Sequence, residues 1–347
     1  MAYSSITKPT DYFNTQLWTG NSTANRSLTG FGFQPDFVWI KNRDTARYHV
    51  LMDAVRGASK IVYSNISNAE VTDTNQLESF DSDGITVGTD NNVNKNGSPH
   101  VGWTWKANGT GSSNTDGSIT STVSANTTSG FSIVSYTGNG TSGATVGHGL
   151  GVAPKMIITK TRSTIDAWYV YSESLGNTKR LGLNETQAAA TSSTYWNNTT
   201  PTSSVFTLGN NSGNNGNGTT MIAYCFAEKK GYSKFGSYTG NGNSDGTFVY
   251  TGFKPAFVMI KHTNGTSNWT INDTGRDPTN VNNLRLFPNQ DVTESSGSDS
   301  MDMLSNGFKF RSTDGGNNGS GDTYTYMAFA EEPLVANVGQ SIPATAR

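Results

Sequence analysis

The sequence has almost no cysteine, little charge and no long apolar run. Its single cysteine, Cys225, cannot form an intrachain disulfide, so stability must come from packing or self-association. The apolar neighbours of Cys225 predict a buried side chain. Charged residues make up 14% of the chain and the formal net charge is −2, so no electrostatic field favours nucleic acid or an anionic membrane. No apolar run approaches the roughly 18 residues that span a bilayer, so we expect no membrane insertion.

Motifs that carry chemistry are equally scarce. The four histidines, at 49, 100, 148 and 262, are scattered and lack the spacing of a zinc site. The sequence contains no Gly-x-Ser-x-Gly nucleophile elbow, no phosphate-binding glycine loop and no His-Glu-x-x-His motif. The N-terminus lacks the basic and apolar stretches of a secretion signal, so we expect synthesis in a cytoplasm. We therefore predict a protein that is not an enzyme, with no catalytic residues, no metal and no cofactor.

The sequence contains three similar copies of a segment of about 100 residues. Each copy opens with an aromatic-Thr-Gly-Asn turn, at 18–21, 136–139 and 238–241. A proline follows the aromatic residue after 17, 18 and 17 residues, and a lysine follows that proline after six. Further anchors in the same order are an asparagine, an apolar strand start and a closing aromatic residue: Asn65, Asn184, Asn289; Ile85, Val205, Phe308; Trp105, Phe226, Phe329. Such self-similarity indicates tandem units.

The pattern within each copy predicts β-strands. Residues 131–136 alternate between apolar and polar, as do 85–87 and 308–310, so each of these strands is expected to bury one face. The run at 37–40 is apolar on both faces, which is typical of a central strand. No window shows a convincing helical period. We predict an all-β fold of three tandem β-sandwich repeats, and a jelly-roll or lectin-like topology fits the pattern equally well.

The repeats also set the predicted boundaries. We expect an N-terminal arm at 1–10, repeats at 11–107, 130–229 and 230–333, and a C-terminal tail at 334–347. These three repeats are called copies one, two and three below. Residues 108–129 lack large apolar side chains and predict a linker, with an extended strand along its neighbour as the alternative. The tail is expected to be irregular or to form an arm that grips another subunit.

Two kinds of acidic feature are candidate sites. Asp81-Ser82-Asp83-Gly84 resembles half of a calcium loop, but Asn92 stands where a bidentate Glu is needed, and the acidic loop 314–322 also offers oxygen ligands. Ordinary turn chemistry is the alternative for both. Asp-x-x-Arg occurs at 53–56 and 273–276, while copy two has Ser-Glu-Ser-Leu there. A catalytic carboxylate is one interpretation, and a charge-assisted hydrogen bond that pins a loop is the other.

Tryptophans are the candidate binding residues. Trp168, Trp196 and Trp269 lie in segments that vary between copies, which suggests exposed rings that stack on sugars. The alternative for these three is packing in the core or between copies. Trp39, Trp103 and Trp105 lie within the apolar runs and are expected in the core.

Six stretches of the sequence together indicate a resemblance to a known family: residues 11–15, 32–41, 53–57, 130–140, 147–151 and 326–331. They resemble an uncharacterised repeat domain that recurs in virion proteins of tailed bacteriophages, particularly those infecting marine bacteria and cyanobacteria. The similarity extends from about residue 5 to residue 333. The resemblance implies a virion appendage, either a tail-fibre-like adhesin or a knob or decoration on the head. It supplies no catalytic residues.

These observations predict a non-enzymatic phage structural protein that is assembled in the host cytoplasm and located in the virion. Expected partners are further copies of the chain, with a trimer as the expected symmetry, and phage capsid or tail proteins. Host surface polysaccharide is a further expected partner. The alternative function is a polysaccharide-depolymerising tail enzyme, which would need two carboxylates about 5 to 10 Å apart.

Overall fold

A computed structural model describes residues 4–333 of the chain. The chain is all-β, with six antiparallel sheets and three one-turn helices in this range. Short 3₁₀ turns occupy Pro9–Asp11 and Glu173–Leu175. The helices are α1 (Asn91–Asn94), α2 (Ser193–Trp196) and α3 (Ser212–Asn215). Among the described residues no helix is long and apolar enough to cross a membrane.

The strands follow the three copies. Copy one holds β1 (Phe13–Thr19), β2 (Arg26–Thr29), β3 (Phe37–Asn42), β4 (Val50–Asp53), β5 (Lys60–Tyr63), β6 (Val71–Thr72), β7 (Leu77–Asp81), β8 (Gly84–Val87) and β9 (Pro99–Trp105). The next ten are β10 (Ser112–Asn114), β11 (Ser121–Asn126), β12 (Phe131–Thr137), β13 (Ala144–Gly147), β14 (Met156–Thr161), β15 (Trp168–Ser172), β16 (Lys179–Gly182), β17 (Ala190–Thr191), β18 (Val205–Leu208) and β19 (Thr220–Phe226). Copy three holds β20 (Ser233–Thr239), β21 (Phe248–Tyr250), β22 (Phe253–His262), β23 (Trp269–Asp273), β24 (Asn282–Arg285), β25 (Ser295–Leu304), β26 (Gly307–Phe310) and β27 (Thr323–Pro333).

Two sheets belong to each copy. In copy one the strand orders are β1-β9-β3-β4-β5-β6 and β2-β8-β7. In copy two they are β10-β11-β12-β19-β14-β15-β16-β17 and β13-β18, and in copy three β20-β27-β22-β23 and β21-β26-β25-β24. The central strand predicted at 37–40 is confirmed, because β3 pairs with both β9 and β4 and all of its residues are buried.

Residues 108–129 contain strands. β11 pairs with β12 along its whole length, and β10 pairs with β11 in turn. The segment therefore extends the sheet of copy two, as the strand alternative expected. At the N-terminus, Ile6 is buried in the protein core, so part of the predicted arm packs on the fold. The predicted tail at 334–347 lies outside the described residues.

Each copy has an apolar core between its two sheets. In copy one this core includes Val38 and Ile40 of β3 and Ile85 and Val87 of β8. Equivalent clusters fill the space between the two sheets of copy two and of copy three. Ile85, Val87, Phe308 and Phe310 are buried as the alternation predicted.

A fourth core joins the three copies. Trp39, Trp103 and Trp105 of copy one meet Phe131, Ile158 and Tyr224 of copy two and Phe257, Met259 and Phe329 of copy three in one continuous cluster. Each strand at the centre of the first sheet of a copy thus buries both faces, one against its own second sheet and one against the other copies. The expectation that 131–136 buries a single face is wrong for this reason.

The lysine that follows the repeat proline by six residues connects each copy to a neighbouring copy. Lys160 donates to the Ser67 carbonyl of copy one (3.2 Å), and Lys261 donates to the Thr186 carbonyl of copy two (2.8 Å). Lys41 donates to the Asp291 carbonyl of copy three (3.3 Å), which closes the ring. Each acceptor lies two residues after the repeat asparagine identified in the sequence. We call these three junctions seams 1/2, 2/3 and 3/1.

Main-chain hydrogen bonds repeat at every seam. The amide six residues after each lysine donates to the same carbonyl that the lysine contacts: Arg47 to Asp291, Asp166 to Ser67, and Ser267 to Thr186. A second main-chain bond joins Glu70 to Arg162, Ala189 to Thr263, and Glu294 to Arg43. Each seam therefore has the same three bonds, and copy three contacts copy one as copy one contacts copy two.

Buried asparagines fix the Thr-Gly-Asn turns. The Asn215 amide donates to the carbonyls of Thr141 and Gly209, and its oxygen accepts from the Asn139 amide. Asn94 and Asn318 make the corresponding bonds in copies one and three. The repeat asparagines have a separate role: Asn65, Asn184 and Asn289 accept from the amides of His49, Trp168 and Trp269 at or just before the fourth strand of each copy.

The seam lysines predict an alkaline gain in stability. Burial lowers the pKa of Lys41, Lys160 and Lys261 from 10.5 to about 8. Between these values the unfolded chain binds more protons than the native chain, so the free energy of unfolding rises with pH, by at most about 1.4 kcal/mol per pH unit for each lysine. Chemical denaturation at steps above pH 8 measures this slope.

The variant Lys160→Met is expected to lose one third of that slope, because it removes one of three lysines. Lys179→Met is the matched control, since the Lys179 ammonium donates to Thr191 at the surface. A slope that is identical in wild type and Lys160→Met contradicts the prediction.

Candidate functional site

The two Asp-x-x-Arg motifs form buried ion pairs. Asp53 accepts from the Arg56 amide and from Arg56 Nε, and both side chains are fully buried. Arg56 also donates to the Leu51 carbonyl, which ties the turn to the strand before it. Asp273 and Arg276 repeat these bonds with Ile271. The loop-pinning interpretation of the sequence is therefore what the geometry supports.

Each pair also reaches across a seam. The Tyr224 hydroxyl of copy two donates to Asp53 (2.8 Å), and Trp103 Nε1 of copy one donates to Asp273 (3.0 Å). The donor is therefore a tyrosine hydroxyl at seam 1/2 and a tryptophan N–H at seam 3/1, and the two residues occupy equivalent positions of β19 and β9. Copy two, which lacks the motif, has Ser172 and Ser174 hydrogen-bonded to Thr325 of copy three instead.

Two glutamates extend these networks. Glu70 accepts from Arg56 and, across seam 1/2, from Nε and Nη2 of Arg162. Glu294 accepts from Arg276 and, across seam 3/1, from Arg43. Burial raises the pKa of each glutamate, but the arginines outweigh it and hold the pKa of both below the usual range. The arrangement fixes the relative position of two copies by bidentate pairing.

The chemistry open to these carboxylates is limited. Both oxygens of Asp53 and both of Asp273 accept hydrogen bonds from protein donors, and no part of either side chain is exposed. A general acid or base must reach a substrate proton directly or through one water. These two aspartates are bound to arginine, tyrosine and tryptophan, and contact no open cleft.

The three candidate tryptophans are buried, as the packing alternative expected. Trp168 and Trp269 are 0% exposed and Trp196 is 1% exposed, so the expectation of exposed rings is wrong. Trp168 Nε1 donates to the Tyr63 carbonyl across seam 1/2, and Trp269 Nε1 donates to the Gly182 carbonyl across seam 2/3. Trp196 packs edge-on to Tyr171 in the core of copy two. Trp168 and Trp269 thus occupy equivalent positions, eight residues after Lys160 and Lys261, and each donates to the carbonyl two residues before the repeat asparagine of the neighbouring copy.

The acidic loops follow turn chemistry. Asp83 accepts from the amides of Gly30 and Gly32, and Asp81 accepts from the hydroxyls of Ser79 and Thr86. Asp314 accepts from the Gly316 amide. Within residues 4–333 no group of three or more His, Cys, Asp or Glu side chains is placed to hold a metal ion.

All four histidines are buried. His49 accepts from Trp39 Nε1 and lies against the main chain of Phe287, where the other two seams have a tryptophan. Burial lowers the pKa of His49, His100 and His148, that of His100 to about 4. Cys225 is buried as predicted, and burial raises the pKa of its thiol.

The surface has a cavity of about 630 Å³ within copy one, lined by residues between Asn25 and Glu78, and further cavities beside a seam. Two neighbouring cavities at seam 3/1 share Tyr48 and Asp291, with volumes of about 210 and 440 Å³. Sequence reasoning missed this place because its residues come from copies one and three. The sequence did contain one indication of it. Arg47 and Tyr48 follow Lys41 by six and seven residues, and the residues at these positions in the other two copies are of different types.

Sheets and seams together define an all-β protein in which three related segments surround one shared core. The chain belongs to the family described as Domain of unknown function (DUF7483), which matches residues 8–333. No curated protein matches the chain.

Removing a seam carboxylate is expected to weaken the protein. Glu70→Gln leaves Arg56 and Arg162 without their shared anion, which should lower the free energy of unfolding at neutral pH by about 2 kcal/mol. Since the folded pKa of Glu70 is depressed, its contribution is present above the unfolded value of 4.5 and is lost as pH falls through the folded value. The difference between wild type and variant should therefore shrink below about pH 4.5.

Denaturant unfolding of both proteins across acid pH measures that difference. Glu173→Gln is the control, because the Glu173 carboxylate pairs with Lys155 while 48% exposed, and its removal is expected to change little. A Glu70→Gln deficit that stays constant down to pH 3 would falsify the assignment.

Proposed function

We propose that the protein is a structural component of a bacteriophage virion, an appendage of the tail-fibre or head-decoration kind. One observation carries the proposal. The buried lysines, the Asp-Arg pairs and the seam glutamates, which are the side chains able to take part in chemistry, all stabilise contacts between copies. A chain whose charged groups make it rigid is suited to a structural role. The resemblance of its repeats to phage virion domains supports the same assignment.

We further propose that the three copies are tandem β-sandwich repeats, of jelly-roll or lectin-like topology. Support comes from the two sheets in each copy and the apolar cluster between them. The repeated seam bonds support tandem units as well, since equivalent residues make equivalent contacts.

Self-association belongs to the proposal, with the trimer as its expected form and capsid or tail proteins as further partners. The inner contacts of the three copies are already satisfied within one chain, so a second copy must use the outer surface. Phe248 and Tyr250 of the edge strand β21 are 43% and 53% exposed, and unpaired strand edges readily take another chain. Adhesion to host surface polysaccharide is the other expected contact.

The alternative of a polysaccharide depolymerase gains no support from the site. The carboxylates that would carry it, Asp53 and Asp273, are buried within ion pairs. The appendage proposal is the one we retain.

Labelling of intact particles tests the virion assignment. Antibodies against the purified protein should decorate the head or the tail of the phage that encodes it, as seen by electron microscopy, while serum taken before immunisation should not. Particles that carry neither label nor the polypeptide in a denaturing gel would sink the proposal.

Light scattering coupled to gel filtration tests self-association. The wild-type protein is expected at three times its 37.1 kDa chain mass. Replacing Phe248 and Tyr250 together by Ser should shift it to the mass of one chain without lowering its melting temperature by more than a few degrees, because the two rings are largely exposed. A wild-type protein that remains at one chain mass at high concentration contradicts this part.

A further inference from the structure

Seam 3/1 has the same backbone as the other two seams but different side chains. The Arg47 amide donates to the Asp291 carbonyl (2.8 Å), so residues 47, 48 and 291 lie side by side at the junction. The equivalent trio is Asp166, Ala167 and Ser67 at seam 1/2, and Ser267, Asn268 and Thr186 at seam 2/3. Of the three seams, seam 3/1 alone combines an arginine, an aromatic ring and a carboxylate at these three positions.

The surface there is concave. The smaller cavity is lined by Ala46, Arg47, Tyr48, Asn92 and Asp291. The larger one, of about 440 Å³, adds Asn65, Ile66, Asn289, Gln290 and Val292 around the same Tyr48 and Asp291. Small-molecule sites have volumes of roughly 300–1,000 Å³, so the larger cavity is of suitable size. We call the two together the seam groove.

Arg47 and Asp291 bring opposite charges to the seam groove. Arg47 Nε is buried and has no hydrogen-bond partner in the described part of the chain. The Asp291 side chain is exposed, its charge acts on the neighbouring Lys41 ammonium, and its main-chain oxygen accepts from the Arg47 amide and from Lys41. Arg47 Nε is closed to solvent, so a ligand in the groove would meet the rest of the Arg47 side chain, which lines the smaller cavity, and the exposed Asp291 carboxylate.

An aromatic ring stands among these polar groups. Tyr48 is 41% exposed and packs against Tyr63, with ring centroids 5.0 Å apart. This contact positions the ring at the groove, where the residue remains partly exposed. Val292, which is 40% exposed, adds an apolar surface beside it.

We propose that the seam groove binds a neutral hexopyranose unit of a polysaccharide. A pyranose has hydroxyl groups that each donate and accept, and an apolar C–H face that packs on an aromatic ring. Arg47 supplies donors, Asp291 supplies acceptors, and Tyr48 supplies the ring face. Because one positive and one negative side chain line the groove, its charge is balanced and selects against ligands with a net charge. The proposal deepens the glycan adhesion proposed above and rests on it.

Affinity electrophoresis is the test, since polysaccharide cast in a native gel retards even weak multivalent binders. The panel consists of neutral mannan, dextran and galactan, and of acidic alginate. The wild-type protein is expected to be retarded by at least one neutral polymer and less by alginate. Tyr48→Ala and Asp291→Asn should each weaken that retardation about tenfold or more, equivalent to about 1.4 kcal/mol.

The matched control is Val152→Ala, which shortens a side chain that is 43% exposed, close to the 41% of Tyr48, and that is absent from the groove lining. It should leave the retardation unchanged, and melting curves of all variants should coincide within a few degrees because the replaced side chains are exposed. Retardation that persists in Tyr48→Ala, retardation by alginate alone, or none by any neutral polymer overturns the proposal. None of these outcomes affects the labelling of particles, so the virion assignment stands or fails separately.

Discussion

The buried ammonium groups of Lys41, Lys160 and Lys261 set the constraint on which the rest of the structure depends. A charged group removed from water must find hydrogen-bond acceptors, and each lysine finds one of them only in a neighbouring copy. A single copy would leave this cation without that carbonyl and the inner face of its sheet without cover. The three copies are therefore mutually required, and the chain must return on itself so that the lysine of copy one reaches copy three.

The shared core follows from the same closure. Once the seams fix the angles between copies, the inner faces of three sheets meet and need large side chains to fill the space, which explains the aromatic residues at Trp103, Trp105, Tyr224 and Phe329. The repeat is exact in its main-chain bonds and variable in its side chains. Seams 1/2 and 3/1 add arginine–glutamate networks, whereas seam 2/3 uses serine and threonine hydroxyls. A fixed frame with variable side chains lets one junction differ in function from the others.

Much of the architecture could be predicted from the sequence. The period, the turn glycines, the central strand at 37–40 and the spacing of Asn65, Asn184 and Asn289 are local patterns, and local patterns are what sequence periodicity reports. The burial of Trp168 and Trp269 could not be predicted, because another copy covers them, whereas Trp196 is buried within the core of its own copy. The seam groove was hidden for the same reason, since Tyr48 and Asp291 are 243 residues apart. The spacing of Asp53 and Arg56 predicted the bond between them, but it could not predict that Tyr224 of copy two also donates to Asp53.

The three copies and their shared core form one closed frame, in which seam 3/1 joins the last copy to the first. Native-state hydrogen exchange at single amides tests this most directly. We expect the amides of Arg47 and Glu294, which donate across seam 3/1, to exchange as slowly as those of Ser267 and Ala189 at seam 2/3. Fast exchange at Arg47 and Glu294, with Ser267 and Ala189 still protected, would mean an open chain of three copies and would contradict a closed seam 3/1.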